Sequence, residues 1–200
     1  MLIAMPIDPS SLRLLLERRS TSALGGPPPS RDEIALLLQA AATVPDHGEL
    51  RPYRFVVVDS PEGQQRFGDA LADAGVEAKP ELPPGLQDKL RKKAYAAPAL
   101  VVVVASPIEG HKIPVWEQIA TASCTGYAIV LAAHALGLGA IWKSAPVLRG
   151  KSIDAALALG AGEQVLGWIN LGRPTKTLEP RAAVEPKAHA LGADGLGALR

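Results

Sequence analysis

A single cysteine, Cys124, stands in 200 residues, which excludes an internal disulfide and points to a reducing compartment. The four histidines fall at no zinc-ligand spacing, with one another or with Cys124, so no metal centre is expected. Charge of one sign is missing as well. Lys plus Arg number 21 against 20 for Asp plus Glu, a formal net charge of +1, which lacks the footprint of general nucleic-acid binding. No P-loop is present. Gly137-Leu138-Gly139 follows a helical segment and precedes a strand, the reverse of the order that sets a helix N-terminus on a pyrophosphate. The late glycines Gly192, Gly195 and Gly197 form no motif. No strand-turn-helix elbow presents a serine nucleophile, so hydrolase chemistry has little support.

Long apolar runs are nearly absent too. Met1 to Ile7 has no basic flank and is too short for a secretory signal. Ile119 to Trp142 is long enough to span a bilayer, but Thr121, Ser123, Thr125, His134 and its glycines favour a core helix. The expectation is a cytoplasmic protein with no membrane and no nucleic-acid partner.

Hydrophobic residues make up 48% of the chain, enough for one sizeable core, and residues 1–200 read as a single domain. Its 19 glycines and 18 prolines punctuate periodic segments and read as turns. A first helix begins at Asp8-Pro9-Ser10, with Leu12, Leu15 and Leu16 on one face, and ends near Arg18. Ser30 and Glu33 have capping-box spacing ahead of Ile34, Leu37, Leu38 and Ala41, and Pro45 closes this second helix. Phe55–Val58 reads as a buried strand. A helix from Pro61 to about Ala74, a mobile connection at 80–85 and a helix from Leu86 to about Ala96 follow. Then come a strand at Leu100–Ala105, a long helix from about Val115 to Leu136, and a strand at Ala140–Trp142. Ile153–Leu159 is helical and Gln164–Leu171 extended. Strands and helices mix without a regular βαβ repeat, so the class is α+β. Cys124, in the middle of the long helix, is expected to be buried and inert. Residues 175–200 form a tail without strong periodicity, expected to wrap a surface or a partner subunit.

Three segments could carry chemistry. Arg18-Arg19-Ser20 offers two guanidinium forks and a hydroxyl, suited to a phosphate; basic residues at a helix end also complement the helix dipole. Pro45-Asp46-His47-Gly48-Glu49-Leu50-Arg51-Pro52 packs ionisable groups into one loop, either a site or a polar turn. Trp142-Lys143-Ser144 could frame an aromatic anion, or Trp142 could be core and Lys143 solvated. Taken singly, each segment leaves both readings open.

Their order changes the balance. The set comprises Arg18-Arg19-Ser20, then Pro45-Asp46-His47 with Arg51-Pro52-Tyr53-Arg54-Phe55, and Trp116-Glu117-Gln118. Gly137-Leu138-Gly139-Ala140-Ile141-Trp142-Lys143-Ser144 and Gly167 to Pro174 complete it. This arrangement resembles the compact branch of the FMN-dependent nitroreductase family over nearly the whole chain to Pro174. The resemblance implies a central mixed or antiparallel sheet flanked by helices, a long buried central helix, and a homodimer with FMN at the subunit interface. It implies flavin contacts from Arg18, Arg19, Ser20, Trp142, Lys143 and Ser144 of one subunit, with Thr43 and His47 reaching the flavin of the other. Ala132, Ala133, His134, Ala135, Leu136 and Gly137 match the stretch linked to the nicotinamide nucleotide. Lys143 stands where arginine is common, Thr43 where the branch can have arginine, and Tyr53 where tryptophan is common.

The implied activity is hydride transfer from NADH or NADPH through FMN to an electron-poor small molecule such as a nitroaromatic or quinone. His47 is the protein's candidate proton donor; no catalytic residue is otherwise assigned. The competing readings are a flavin-storing or flavin-sensing protein without turnover, activated-alkene reduction, and flavin fragmentation.

Overall fold

The computed structural model describes residues 9–179, 188–192 and 195–198. The elements run α1 (Pro9–Glu17), β1 (Leu24–Gly25), α2 (Arg31–Ala41), β2 (Tyr53–Val58), α3 (Pro61–Ala78), α4 (Pro84–Arg91), β3 (Ala99–Ala105) and α5 (Val115–Ala135). They continue with β4 (Gly139–Lys143), α6 (Lys151–Leu157), β5 (Gln164–Pro174), β6 (His189–Gly192) and β7 (Gly195–Ala198). Short 3-10 turns occupy His47–Glu49 and Lys92–Tyr95.

β5 is the spine of the sheet. It pairs β3 along one edge and β4 along the other, and its far end takes β1; β3 in turn pairs β2. Every pairing is antiparallel. Both faces are covered. Leu100, Val102, Val104 and Trp168 pack against Phe67 and Leu71 of α3 and Ile153 and Leu157 of α6. Val101, Val103, Ile169 and Leu171 pack against Ile34 and Leu37 of α2 and Ile129, Val130 and Ala133 of α5. This double coverage explains why β3 is an unbroken apolar run, buried at every position. The α+β fold expected from the sequence is the fold observed.

Local signals act where they stand in the chain. The Ser30 hydroxyl accepts from the Glu33 N–H while the Glu33 carboxylate accepts from the Ser30 N–H, a complete capping box. Glu33 also takes both arms of Arg173 at 2.8 Å, fastening α2 to β5. Arg54 reaches from β2 to the Leu157 and Ala158 carbonyls at the end of α6 and to both oxygens of Glu163.

Several expectations need correction. α2 ends at Ala41, ahead of Pro45, and α3 runs on to Ala78. The segment expected as one helix from Leu86 to Ala96 is α4 followed by a 3-10 turn. Leu12, Leu15 and Leu16 are exposed on the single chain, so their apolar face finds no core within it. Cys124 is exposed, on the α5 stripe of Trp116, Ala120 and Tyr127 that turns away from the sheet. Within the tail β6 and β7 form a hairpin; residues 180–187, 193–194 and 199–200 lie outside the described set. No helix among the described residues is long and apolar enough to cross a membrane.

Candidate functional site

Arg18, Arg19 and Ser20 follow α1 directly, outside any helix or strand. The Thr21 N–H donates to the Ala140 carbonyl at 3.1 Å, which ties this segment to β4. Arg18 Nη1 lies 3.4 Å from Ser20 Oγ, and Arg19 Nη1 donates to the Glu179 carbonyl. A mostly apolar cavity of about 310 Å³ opens beside Arg19, and Thr21, His134, Gly137, Leu138, Gly139 and Lys176 are among the residues that line it. The α5 helix ends there. Gly137 takes φ +71, and the Leu138 N–H returns to the Ala133 carbonyl at 2.8 Å, a Schellman close that glycine permits. The helix C-terminus carries partial negative charge, so an anion in this cavity would depend on Arg19 and Lys176 for its charge balance.

The 132–137 stretch is thereby divided. Ala133 is buried against the sheet, Ala132 and His134 are half-buried, and Ala135, Leu136 and Gly137 are exposed. The structure brings His134 and Gly137 to Arg19, in one cavity.

Trp142, Lys143 and Ser144 lie at the opposite end of β4 from Gly139. The Trp142 indole fits between two glycines. A Cβ at Gly126 of α5 would fall 2.2 Å from its Cζ3, and one at Gly167 of β5 would fall 2.5 Å from its Nε1. Gly167 takes φ +134 at a bulge where β5 shifts register against β3 between Val103 and Val104. Lys143 is half-buried and Ser144 exposed. No hydrogen bond among the described residues joins this triplet to Arg18 or Arg19.

His47 and Thr43 occupy a third place. The Thr43 hydroxyl donates to the Ala40 carbonyl at 2.8 Å, finishing α2. The loop after it is held by the first turns of α5. Thr121 donates to the Pro45 carbonyl at 3.3 Å, and Glu117 Oε1 stands 2.7 Å from His47 Nδ1. A carboxylate only accepts, so Nδ1 carries the proton and Nε2 is left towards solvent. Glu49 and Arg51 hold left-handed φ values of 53° and 49°, costly for non-glycine residues and typical of functional loops. The Asp46 carboxylate supports the turn by accepting the Arg51 N–H at 2.6 Å. A second cavity, of about 300 Å³, is lined by Val44, Asp46, Glu49, Arg51 and Tyr53.

The ordered motifs include Glu117, Gln118 and Gly167 without disclosing their partners, and Gly126 stands outside them. Glu117 meets His47 from 70 positions away. Gly126 and Gly167 make room for Trp142. Gln118, buried, clasps the preceding loop through the Ile108 and Ile113 backbones. The run Trp116-Glu117-Gln118 flagged the right place without disclosing what it touches.

The family model for the nitroreductase family matches residues 15–173. The Escherichia coli K12 protein named "Putative NAD(P)H nitroreductase YdjA" is 34% identical over 82% of this chain and 88% of its own length. A Haemophilus influenzae protein of the same description is 31% identical over 87% and 94%. Among solved structures, a nitroreductase-like family protein from Bacillus cereus superposes with TM-score 0.75 at 23% identity, covering 91% of this chain and 95% of that one. A nitroreductase with bound FMN from Desulfitobacterium hafniense superposes with TM-score 0.64 at 21% identity, covering 87% and 94%. The ordered motifs, the antiparallel sheet with its long α5 helix and the relatives agree: this chain belongs to the nitroreductase family.

Proposed function

We propose that this protein is an FMN-dependent NAD(P)H oxidoreductase that passes reducing equivalents to an electron-poor small molecule such as a nitroaromatic or a quinone. The observation that carries the reading is the division of the candidate residues into separate half-sites on one chain. Arg19 and His134 line one cavity, while Asp46 and Arg51 line another, beside Thr43 and His47. Two copies related by a two-fold axis would bring unlike halves together. The exposed apolar surface supports that assembly: Leu12, Leu15 and Leu16 of α1 and Trp116 and Tyr127 of α5 form the kind of face that an interface covers.

The residues present fit the phosphate end of FMN. Arg18 and Arg19 supply planar donor forks, Ser20 a hydroxyl, and Lys176 a further positive charge. The cavity of about 310 Å³ at Arg19 is at the small end for ligand pockets and mostly apolar, with Arg19 and Lys176 its charged members; these two would meet the phosphate, and the ring is left to the interface. Trp142 and Lys143 would border the ring from the same subunit, with Thr43 and His47 supplied by the second. FMN, when bound, supplies the two-electron chemistry that links NADH or NADPH to the acceptor.

The chain's own task is placement. Lys143 would hold positive charge near the ring. His47, its Nδ1 committed to Glu117, would offer Nε2 to solvent or to an acceptor. The relatives' names support the nicotinamide donor, since they describe NAD(P)H nitroreductases.

The test is flavin retention. Purified protein is expected to take up FMN and keep it through dialysis, and Arg19→Ala to weaken it about tenfold or more, as loss of a charge-assisted hydrogen bond predicts. Equal occupancy in both proteins would remove Arg19 from the site. Failure of the parent protein to take up FMN would refute the function.

A further inference from the structure

An apolar cavity of about 420 Å³ lies on the face of the sheet opposite α5. It sits between the C-terminal part of α3, α4, and the segment after β4. Its walls are Leu82, Leu86 and Leu90 with Pro146 and Val147. Gly75 makes the space: a Cβ there would fall 2.4 Å from Leu90 Cδ1 and 2.8 Å from Leu82 Cδ2. α3 packs on the sheet face opposite to α5, away from the α5 stripe.

Its chemistry is one-sided. The cavity surface is almost wholly apolar, so the three lysines in the lining, Lys79, Lys89 and Lys93, face it with their methylene stems and carry their charges at its edge. Nearby acids are engaged elsewhere: Asp69 and Asp88 hold Arg91, and Glu77 accepts from Ser152. Lys79 stands a loose 3.8 Å from Glu81, and neither Lys89 nor Lys93 has an ion pair among the described residues. An occupant with an apolar body and a negative head at the cavity edge would match this lining. The volume admits a small molecule and is too small for a folded peptide segment. Lysines are point charges on flexible stems and do not demand a planar, bidentate anion.

The geometry points to a second binding site, for a fatty carboxylate of medium chain length, with its alkyl chain against Leu82, Leu86 and Leu90 and its carboxylate among Lys79, Lys89 and Lys93. The cavity shares no lining residue with the cavities at Arg19 and Arg51, and this assignment stands whether or not the chain is a reductase.

Calorimetric titration of the full-length protein with decanoate, repeated with decanol, tests it. Saturable decanoate binding is expected, with decanol weaker because it lacks the charge. Lys89→Glu combined with Lys93→Glu should weaken decanoate about tenfold, as reversal of two exposed charges allows, and leave decanol unchanged. Lys92→Glu, at an exposed lysine outside the cavity, should leave decanoate binding intact. Leu86→Trp, which fills the cavity without altering charge, should reduce binding of both probes. Absence of decanoate binding, equal affinity for decanol, or binding indifferent to both the charge reversals and Leu86→Trp would overturn the proposal.

Discussion

The Trp142 indole occupies the space that a side chain at Gly126 would fill, with a Cβ there only 2.2 Å from Cζ3 and 2.3 Å from Cη2. In an ordinary helix, alanine in place of glycine stabilises by about 1 kcal/mol. Here overpacking costs about 1–3 kcal/mol and exceeds that gain. Gly126→Ala is expected to lower the melting temperature, to change the near-ultraviolet circular dichroism of the tryptophans, and to weaken FMN retention as Trp142 moves. A stabilised variant with an unchanged spectrum would show that the indole does not depend on this gap.

His47 should depend on Glu117. The pair is partly exposed, so its contribution to stability is small, of order 0.2–1 kcal/mol. Glu117→Ala is therefore expected to leave the melting temperature nearly unchanged and to lower turnover with an acceptor. Glu117→Gln, which keeps an acceptor for Nδ1–H, should recover part of the loss. Equal turnover in all three proteins would leave His47 without a role that needs its orientation.

The acid limb of stability should run through Glu163. Its carboxylate is held at about 2, down from 4.5, chiefly by hydrogen bonds from Arg54, with Ser106 and the Gly160 N–H assisting against burial. Because the folded value is depressed, this stabilisation is complete above about pH 4.5 and fades as pH falls towards 2. In that window the unfolded chain binds more protons, so stability rises with pH. Glu163→Gln is expected to cost about 2 kcal/mol near neutral pH and to narrow its deficit to the parent as the medium becomes acidic. A deficit independent of pH would contradict the assignment.

The α5 stripe should carry the dimer. Tyr127→Arg puts a charge on an exposed aromatic of the proposed interface, where an unpaired buried charge costs several kcal/mol. Sedimentation is expected to show a dimer for the parent and a monomer with lost flavin for the variant. A parent that is monomeric while holding FMN would refute the shared site.

What the sequence disclosed was local. Ser30 with Glu33 announces a helix start three residues apart, whereas Phe55–Val58, expected as a buried strand, lies in the edge strand β2 with only Val58 buried. Arg18-Arg19-Ser20 and Trp142-Lys143-Ser144 became interpretable only through their order along the chain. What stayed hidden is long-range. Leu12, Leu15 and Leu16 share one helix face in the sequence, but all three are exposed on the single chain. Cys124 follows a helical period whose phase is set by which side of α5 meets the sheet. No local rule connects Glu117 with His47, or Gly126 and Gly167 with Trp142, because those contacts exist only once the sheet and α5 have packed.

Hydride transfer from a nicotinamide nucleotide through bound FMN is the step on which the proposed activity rests. Its most direct test is the visible spectrum of FMN-loaded protein under anaerobic conditions, with NADH or NADPH added first and a quinone or nitroaromatic afterwards. Bleaching of the oxidised flavin band by the nucleotide, followed by its return with the acceptor, is the expected result. Persistence of the oxidised spectrum with both nucleotides would contradict it.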